Sequence, residues 1–150
     1  MSETYFDTSA LIKLYVSEEY SDALASHVTQ QARPIAIHEL HELELESGLR
    51  AKVFRKEMTV GRCRDILDRI KKDVDDGLLA QTSVSWQDVF RRGRRVAADV
   101  TERLGCRSLD VLHVAAALSW RSVLFVSVDD RQLKAAAMVR LRVLDIRTLP

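Results

Sequence analysis

The chain has 150 residues, 47% of them apolar, enough for one compact domain around one core. Its 23 Lys and Arg stand against 22 Asp and Glu, a net charge of +1. That balance argues against a dedicated nucleic-acid-coating protein and leaves any attraction to polyanions to local patches. Two prolines and five glycines, with no repeat or low-complexity stretch, give no linker, so a single domain over 1–150 is expected.

"TYF" (4–6) reads as a short strand and "SALIKLYV" (9–16) as a helix. Ser21 is placed to cap a helix running to about Gln30. "PIAI" (34–37) is a second strand, with Pro34 tolerable at its start. Helix formers dominate from Glu39 to Lys56, broken only by Gly48. Thr59 is placed to cap the next helix, which ends near Gly77. "LLAQTSV" (78–84) reads as a third strand. A long helix follows over 86–105, with Gly105 as its stop. Ser108 is expected to cap an apolar helix to about Trp120. "VLFVSV" (123–128) is a buried strand, "RQLKAAAM" a helix, and "RVLDI" (142–146) the last strand. Strands alternating with helices predict an α/β fold with a parallel sheet covered on both faces. In such sheets, sites form beyond the carboxyl ends of the strands.

The N-terminus lacks a positive start and an apolar signal core, so no secretion is expected. "VLHVAAALSW" is too short to span a bilayer. A soluble cytoplasmic protein is expected, with no membrane partner. Cys63 and Cys106 lie far apart, without Cys or His at metal-ligand spacing, and read as reduced, semi-buried thiols.

Four carboxylates stand where structure alone explains them poorly. Asp7 ends the first strand, where helix capping is its simplest role. Asp129 ends "VLFVSV"; it or Asp130 caps the next helix, and the strand's alternation favours Asp129 as the inward one. Asp110 falls in the first turn of a helix apolar nearly all round, hence buried. His113, three residues on, reads as a hydrogen-bonded orienting group rather than a ligand. Glu44 shares a helix face with Leu40, Leu43, Ser47, Gly48 and Ala51, while Leu45, Leu49 and Val53 form a second apolar row. A helix apolar on two sides needs two partners, one of which can be another subunit. Carboxylates desolvated together repel, and a divalent cation resolves that repulsion. Oxygen ligands without a Cys or His cluster favour Mg²⁺ or Mn²⁺ over Zn²⁺. Ions held in this way serve phosphoryl transfer or phosphodiester hydrolysis.

"YFDTSALIKLYVSE", "ELELESGLRAK", "LGCRSLDVLHVAAAL" and "LFVSVDDRQLKAAA", in this order, resemble the four segments of the PIN-domain nucleases, most closely the VapC-like toxins of toxin–antitoxin pairs. The resemblance covers essentially the whole chain. It implies a three-layer α/β/α sandwich around a mostly parallel sheet, often dimeric. It implies an acidic site of Asp7, Glu44, Asp110 and Asp129, with Asp7 and Asp110 as main metal ligands. Glu44 and Asp129 would complete the site through water or a second ion. Ser127 falls where the family has Thr or Ser near the metal water, and Thr8 and Ser9 lie in its "DTS" turn. Gly48 stands where Ala is frequent. The implied activity is a metal-dependent endoribonuclease, with RNA as substrate and a VapB-like antitoxin as partner.

The basic residues add a weaker signal. Arg91, Arg92, Arg94 and Arg95 crowd one helix, and Arg50, Lys52, Arg55 and Lys56 another; both read first as solvated faces. Arg107 and Arg131, beside proposed site aspartates, are better candidates for substrate phosphate. A haloacid-dehalogenase-like phosphatase would need an Asp two residues after its nucleophile, where Ser9 stands, and the acidic pair and late Lys of a receiver domain are not visible either. A housekeeping PIN nuclease and a non-catalytic PIN-like binding module stay open as alternatives.

Overall fold

The computed structural model describes residues 4–150. Residues 1–3, part of the segment read above for a signal, lie outside the described residues. The elements run β1 (Thr4–Phe6), α1 (Thr8–Lys13), α2 (Ser21–Gln31), β2 (Ile35–Ile37), α3 (Glu39–Phe54), α4 (Val60–Asp75) and β3 (Leu79–Gln81). They continue through α5 (Trp86–Leu104), α6 (Ser108–Ser119), β4 (Leu124–Ser127), α7 (Asp130–Met138) and β5 (Arg142–Asp145), and end in a 3-10 turn (Ile146–Thr148).

All pairings are parallel, as alternating strands and helices require. β4 lies between β1 and β5, with Tyr5 opposite Phe125 and Phe125 opposite Val143. β2 pairs with β3, Ala36 opposite Ala80. The two ladders are separate by hydrogen bonding, and β1 and β2 lie side by side where they meet. Together they form the central parallel sheet of a three-layer α/β/α fold.

Strand alternation explains the three layers. Successive side chains point to opposite faces. Tyr5 and Phe125 face a core with Val89, Val96, Val100, Val114 and Trp120 from α5 and α6. Phe6 and Val126 face the other way, onto Leu11, Leu24, Leu45, Leu49, Cys63 and Ile66 from α1 to α4. β4, the middle strand of its ladder, is buried on both faces, which is why "VLFVSV" reads as an almost unbroken apolar run.

Three local expectations are corrected. Ser21 is not a cap: it opens α2 after Tyr20, which sits in the left-handed region at φ 68°. The Ser21 hydroxyl instead accepts from the Glu18 N–H (3.0 Å) and donates to the Val16 carbonyl (3.1 Å), closing the loop before the helix. Ser108 is likewise the first helical residue of α6, and the N-cap is Arg107, whose N–H donates to Asp110 Oδ2 at 2.9 Å. On α3, Leu45 and Leu49 of the supposed second row enter the chain's own core, together with Leu40, whereas Leu43 is 64% exposed. Both rows thus find partners inside the chain, the first where Gly48 faces Ile12 of α1, and Leu43 is left outside that cover. Thr59 and Gly105 behave as predicted: the Thr59 hydroxyl accepts from the Arg62 N–H, and Gly105 ends α5 at φ 65°. Cys63 and Cys106 are free and buried. Among the described residues, no helix is long and apolar enough to cross a membrane.

Candidate active site

The parallel register brings the ends of β1 and β4 side by side, and the first candidate carboxylates come with them. Asp7 follows β1 directly and caps α1, its Oδ1 accepting the Ala10 N–H at 2.9 Å. The Ser9 hydroxyl lies 2.8 Å from both carboxylate oxygens, and Ser127, the last residue of β4, donates to Oδ2 at 2.7 Å. Asp7 has no solvent exposure. Burial pushes its carboxyl up from the ordinary value, and the hydrogen bonds from Ser127, Ala10 and Ser9 pull it back only in part. Capping alone does not explain this burial, because an N-cap carboxylate works as well in water.

Ser127 links Asp7 to the second strand end. It accepts the Asp129 N–H at 2.9 Å while donating to Asp7. Asp129 is half-buried and caps α7, its Oδ1 accepting the N–H groups of Arg131 (2.9 Å) and Gln132 (3.0 Å). Asp130 is exposed and pairs with Arg147 at 2.5 Å, away from this network. The geometry therefore separates the two neighbours, with Asp129 as the inward one.

Asp110 is buried at the start of α6. Its Oδ2 accepts from Arg107, and its Oδ1 takes the Gln132 side-chain amide at 3.3 Å. Gln132 thus ties Asp110 to Asp129, which its backbone also contacts. Arg107 and Arg131 both extend into solvent, Arg107 with its Nε 3.5 Å from Asp110 Oδ2. Burial and the nearby carboxylates of Asp110 and Asp129 push the Cys106 thiol up, a sign that these charges act together at this edge.

Glu44 reaches the same region from the middle of α3, half-buried. Its Oε2 accepts from the Thr8 hydroxyl at 2.9 Å and hydrogen-bonds His113 Nε2. Burial pushes this carboxyl up, but the His113 ring and the Thr8 hydroxyl outweigh burial and hold it below its usual value, while Asp110 opposes them. His113 is the orienting partner that its position three residues after Asp110 suggests.

The four acids are therefore neighbours joined through Thr8, Ser127 and Gln132, yet each is turned toward protein donors. Among the described residues, no three His, Cys, Asp or Glu side chains converge closely enough to hold an ion in these positions. The donor chemistry nonetheless fits a hard cation. The groups at hand are carboxylate oxygens and the Ser127 hydroxyl, and Gln132 Oε1 is a buried oxygen with no hydrogen-bond partner beside Asp110.

Four participants carry no warning in a motif. Gln132 lies three residues after the cap Asp129, an offset that places it on the first turn facing inward. Tyr5, His38 and His41 form a buried cluster behind Glu44. Alternation along "TYFD" sends Tyr5 to the face opposite Phe6, and the i,i+3 spacing of "HELH" puts both imidazoles at one helix start. Those two spacings are the signal available. The basic helices behave as solvated faces in part: Arg91 pairs with Asp88, Arg50 with Glu46, and Lys52 with Glu18.

A PIN domain family profile matches residues 4–138, from β1 to the last residue of α7. No curated protein matches the chain. The matched span contains every strand but β5 and all four acidic residues described above, so the chain belongs to the PIN domain family, a superfamily of metal-dependent nucleases acting on RNA or other nucleic acid.

Proposed function

We propose that this protein is an endoribonuclease that hydrolyses RNA phosphodiester bonds at the site of Asp7, Glu44, Asp110 and Asp129, and that it is the toxin of a toxin–antitoxin pair. The observation that carries the enzymatic reading is the burial of Asp7 and Asp110, two carboxylates withdrawn from water, one at the carboxyl end of β1 and one in the first turn of α6. Asp7, Asp110 and Asp129 would hold Mg²⁺ or Mn²⁺, with Glu44 completing the site through water or a second ion. When bound, such an ion polarises the phosphate and supplies a hydroxide near neutral pH.

The chain's own residues do the remaining work. Ser9 and Ser127 orient the Asp7 carboxylate by donating to it. Thr8 and His113 hold Glu44 ionised, so that it can accept a proton from an attacking water. Gln132 fixes Asp110 relative to the cap of α7. Arg107 and Arg131 stand exposed beside Asp110 and Asp129, at positions suited to flanking phosphates of a single strand.

The toxin role rests on the closeness of the four segments to VapC-like chains. It brings with it a VapB-like antitoxin as partner, a homodimer and a cytoplasmic setting. Exposed Leu43 and Phe54 on α3 offer apolar area for either protein contact. A housekeeping PIN nuclease is the second reading, with the same site.

The test is cleavage of single-stranded RNA and of DNA of the same sequence, with Mg²⁺, with Mn²⁺ and with chelator. Metal-dependent cutting of RNA alone supports the proposal. Equal cutting of DNA would replace it with a general nuclease. Growth arrest on expression of the wild-type chain, absent for Asp110→Asn, is the outcome expected of a toxin; normal growth with an active enzyme would favour the housekeeping role.

A further inference from the structure

Behind Glu44 lies a buried cluster in which only His113 touches a site carboxylate: Tyr5, His38, His41 and His113, none more than 2% exposed. Tyr5 Oη is 2.9 Å from His38 Nε2 and 2.7 Å from His113 Nδ1. His113 Nε2 meets Glu44 Oε2. His41 Nε2 is 2.9 Å from the Phe6 carbonyl oxygen, and its Nδ1 is 3.2 Å from the His38 backbone nitrogen. His38 Nδ1 is buried without any partner.

Donor and acceptor rules resolve this chain almost completely. A carbonyl only accepts, so His41 carries its proton on Nε2 and accepts the His38 N–H at Nδ1. An ionised carboxylate only accepts, so His113 carries a proton on Nε2. Tyr5 has one proton to give, and it can go either way. Donated to His113 Nδ1, it makes His113 neutral and lets His38 donate from Nε2 to the Tyr5 oxygen. The partnerless His38 Nδ1 is then a bare lone pair. Donated to His38 Nε2, it requires a cationic His113 and a proton on His38 Nδ1, leaving a buried N–H unpaired. An orphaned buried donor is the costlier outcome. Burial also pushes His38 down to about 4 and His41 well below its ordinary value, so neither ring is charged near neutrality.

We infer that Tyr5 and His113 are positioning residues for Glu44: a one-way chain, His38 Nε2–H to Tyr5 Oη–H to His113 Nδ1, fixes the neutral Nε2–H tautomer of His113 and aims its single N–H at Glu44 Oε2. Thr8 donates to the same oxygen. Two donors on Oε2 stop rotation of the carboxylate and leave Oε1 as the oxygen for a water or cation. This role rests on the reading of Glu44 as a site residue; the direction of the chain does not.

The test is a long-range ¹H–¹⁵N correlation of the histidine rings in the metal-free protein at pH 7.5, for the wild type and Tyr5→Phe, beside steady-state cleavage kinetics. Phe keeps the ring that stacks on Phe125 and removes only the hydroxyl. The expected wild-type spectrum shows His38, His41 and His113 as neutral Nε2–H tautomers. In Tyr5→Phe the His113 resonances shift toward mixed tautomers, and kcat falls about tenfold with KM unchanged, as for loss of an orienting partner. A wild-type His113 that is cationic or protonated on Nδ1 alone would overturn the chain. Unchanged His113 resonances and unchanged kcat in Tyr5→Phe would overturn the positioning role. A wild type with the expected tautomers but no nuclease activity supports the chain and removes the function proposed above instead.

Discussion

Asp7 and its hydroxyl partners carry the sharpest consequences at the scale of single residues. Asn at this position keeps the size of Asp and the oxygen that accepts from Ala10, while Ser9 and Ser127 can turn to accept from the new amide. Burial raises the Asp7 carboxyl, and a carboxyl raised on folding weakens the native state once pH exceeds its unfolded value. Asp7→Asn is therefore expected to match or exceed the wild-type urea midpoint at pH 7.5 in chelator, while losing cleavage by more than about 100-fold. His38 works in the opposite direction. Its pKa drops to about 4 on folding, so between pH 6.5 and 4 the unfolded chain takes up a proton that the native one refuses. Stability is complete above that window and declines through it as pH falls, by on the order of 3 kcal/mol at most from this one group. Urea melts of the wild type at intervals from pH 7.5 to 4.5 check this, and a profile without a decline below pH 6.5 would contradict it. Among the acids, Asp7 and Asp110 were legible because a charge at a strand end or on an all-apolar helix is costly. Tyr5 and Gln132 were not, because their roles depend on partners more than 20 positions away in sequence.

The helices show which local rules decide structure and which yield. Thr59 caps α4 as its residue type predicts, and Gly105 takes the left-handed stop of α5. Ser21 and Ser108 do not cap: the Ser21 hydroxyl is held in the preceding loop by Glu18 and Val16, and at α6 a neighbouring group meets the helix start first. At α6 that group is Asp110, which accepts the Arg107 N–H one residue before the expected cap. Candidate site residue and partner of the helix start are thus one side chain. Gly48 lies inside α3 with room for a methyl group, since an added Cβ would sit 3.6 Å from Ile12 Cδ1. Gly48→Ala is expected to raise stability by about 0.5–1 kcal/mol through helix propensity, read as a higher urea midpoint with cleavage unchanged. Leu49, one turn from Leu45 on the buried side of the same helix, should cost about 3 kcal/mol when cut to Ala. On α3, which packs between α1 and α4, Leu43 is left exposed, and periodicity cannot say which residue of an apolar row is covered.

For the whole molecule, alternation of strands and helices was enough to give a parallel sheet with helices on both faces, because the connections allow little else. Strand pairing was not legible: β4 lies between β1 and β5, and β2 with β3 forms a ladder of its own. Such order depends on tertiary packing, which no short window of sequence contains. The same order assembles the candidate site, since only the β1–β4 pairing sets Asp7 beside Ser127 and Asp129. The central claim is that these carboxylates cut RNA with a divalent ion. The most direct measurement is the cleavage rate of a mixed structured RNA pool by the wild type and by Asp7→Asn, each with Mg²⁺, with Mn²⁺ and with chelator, on protein shown by circular dichroism to be folded. Cleavage by the wild type that needs the metal and is lost in the folded variant is the predicted result. Cleavage by Asp7→Asn at the wild-type rate, or cleavage by the wild type that persists in chelator, would contradict the claim.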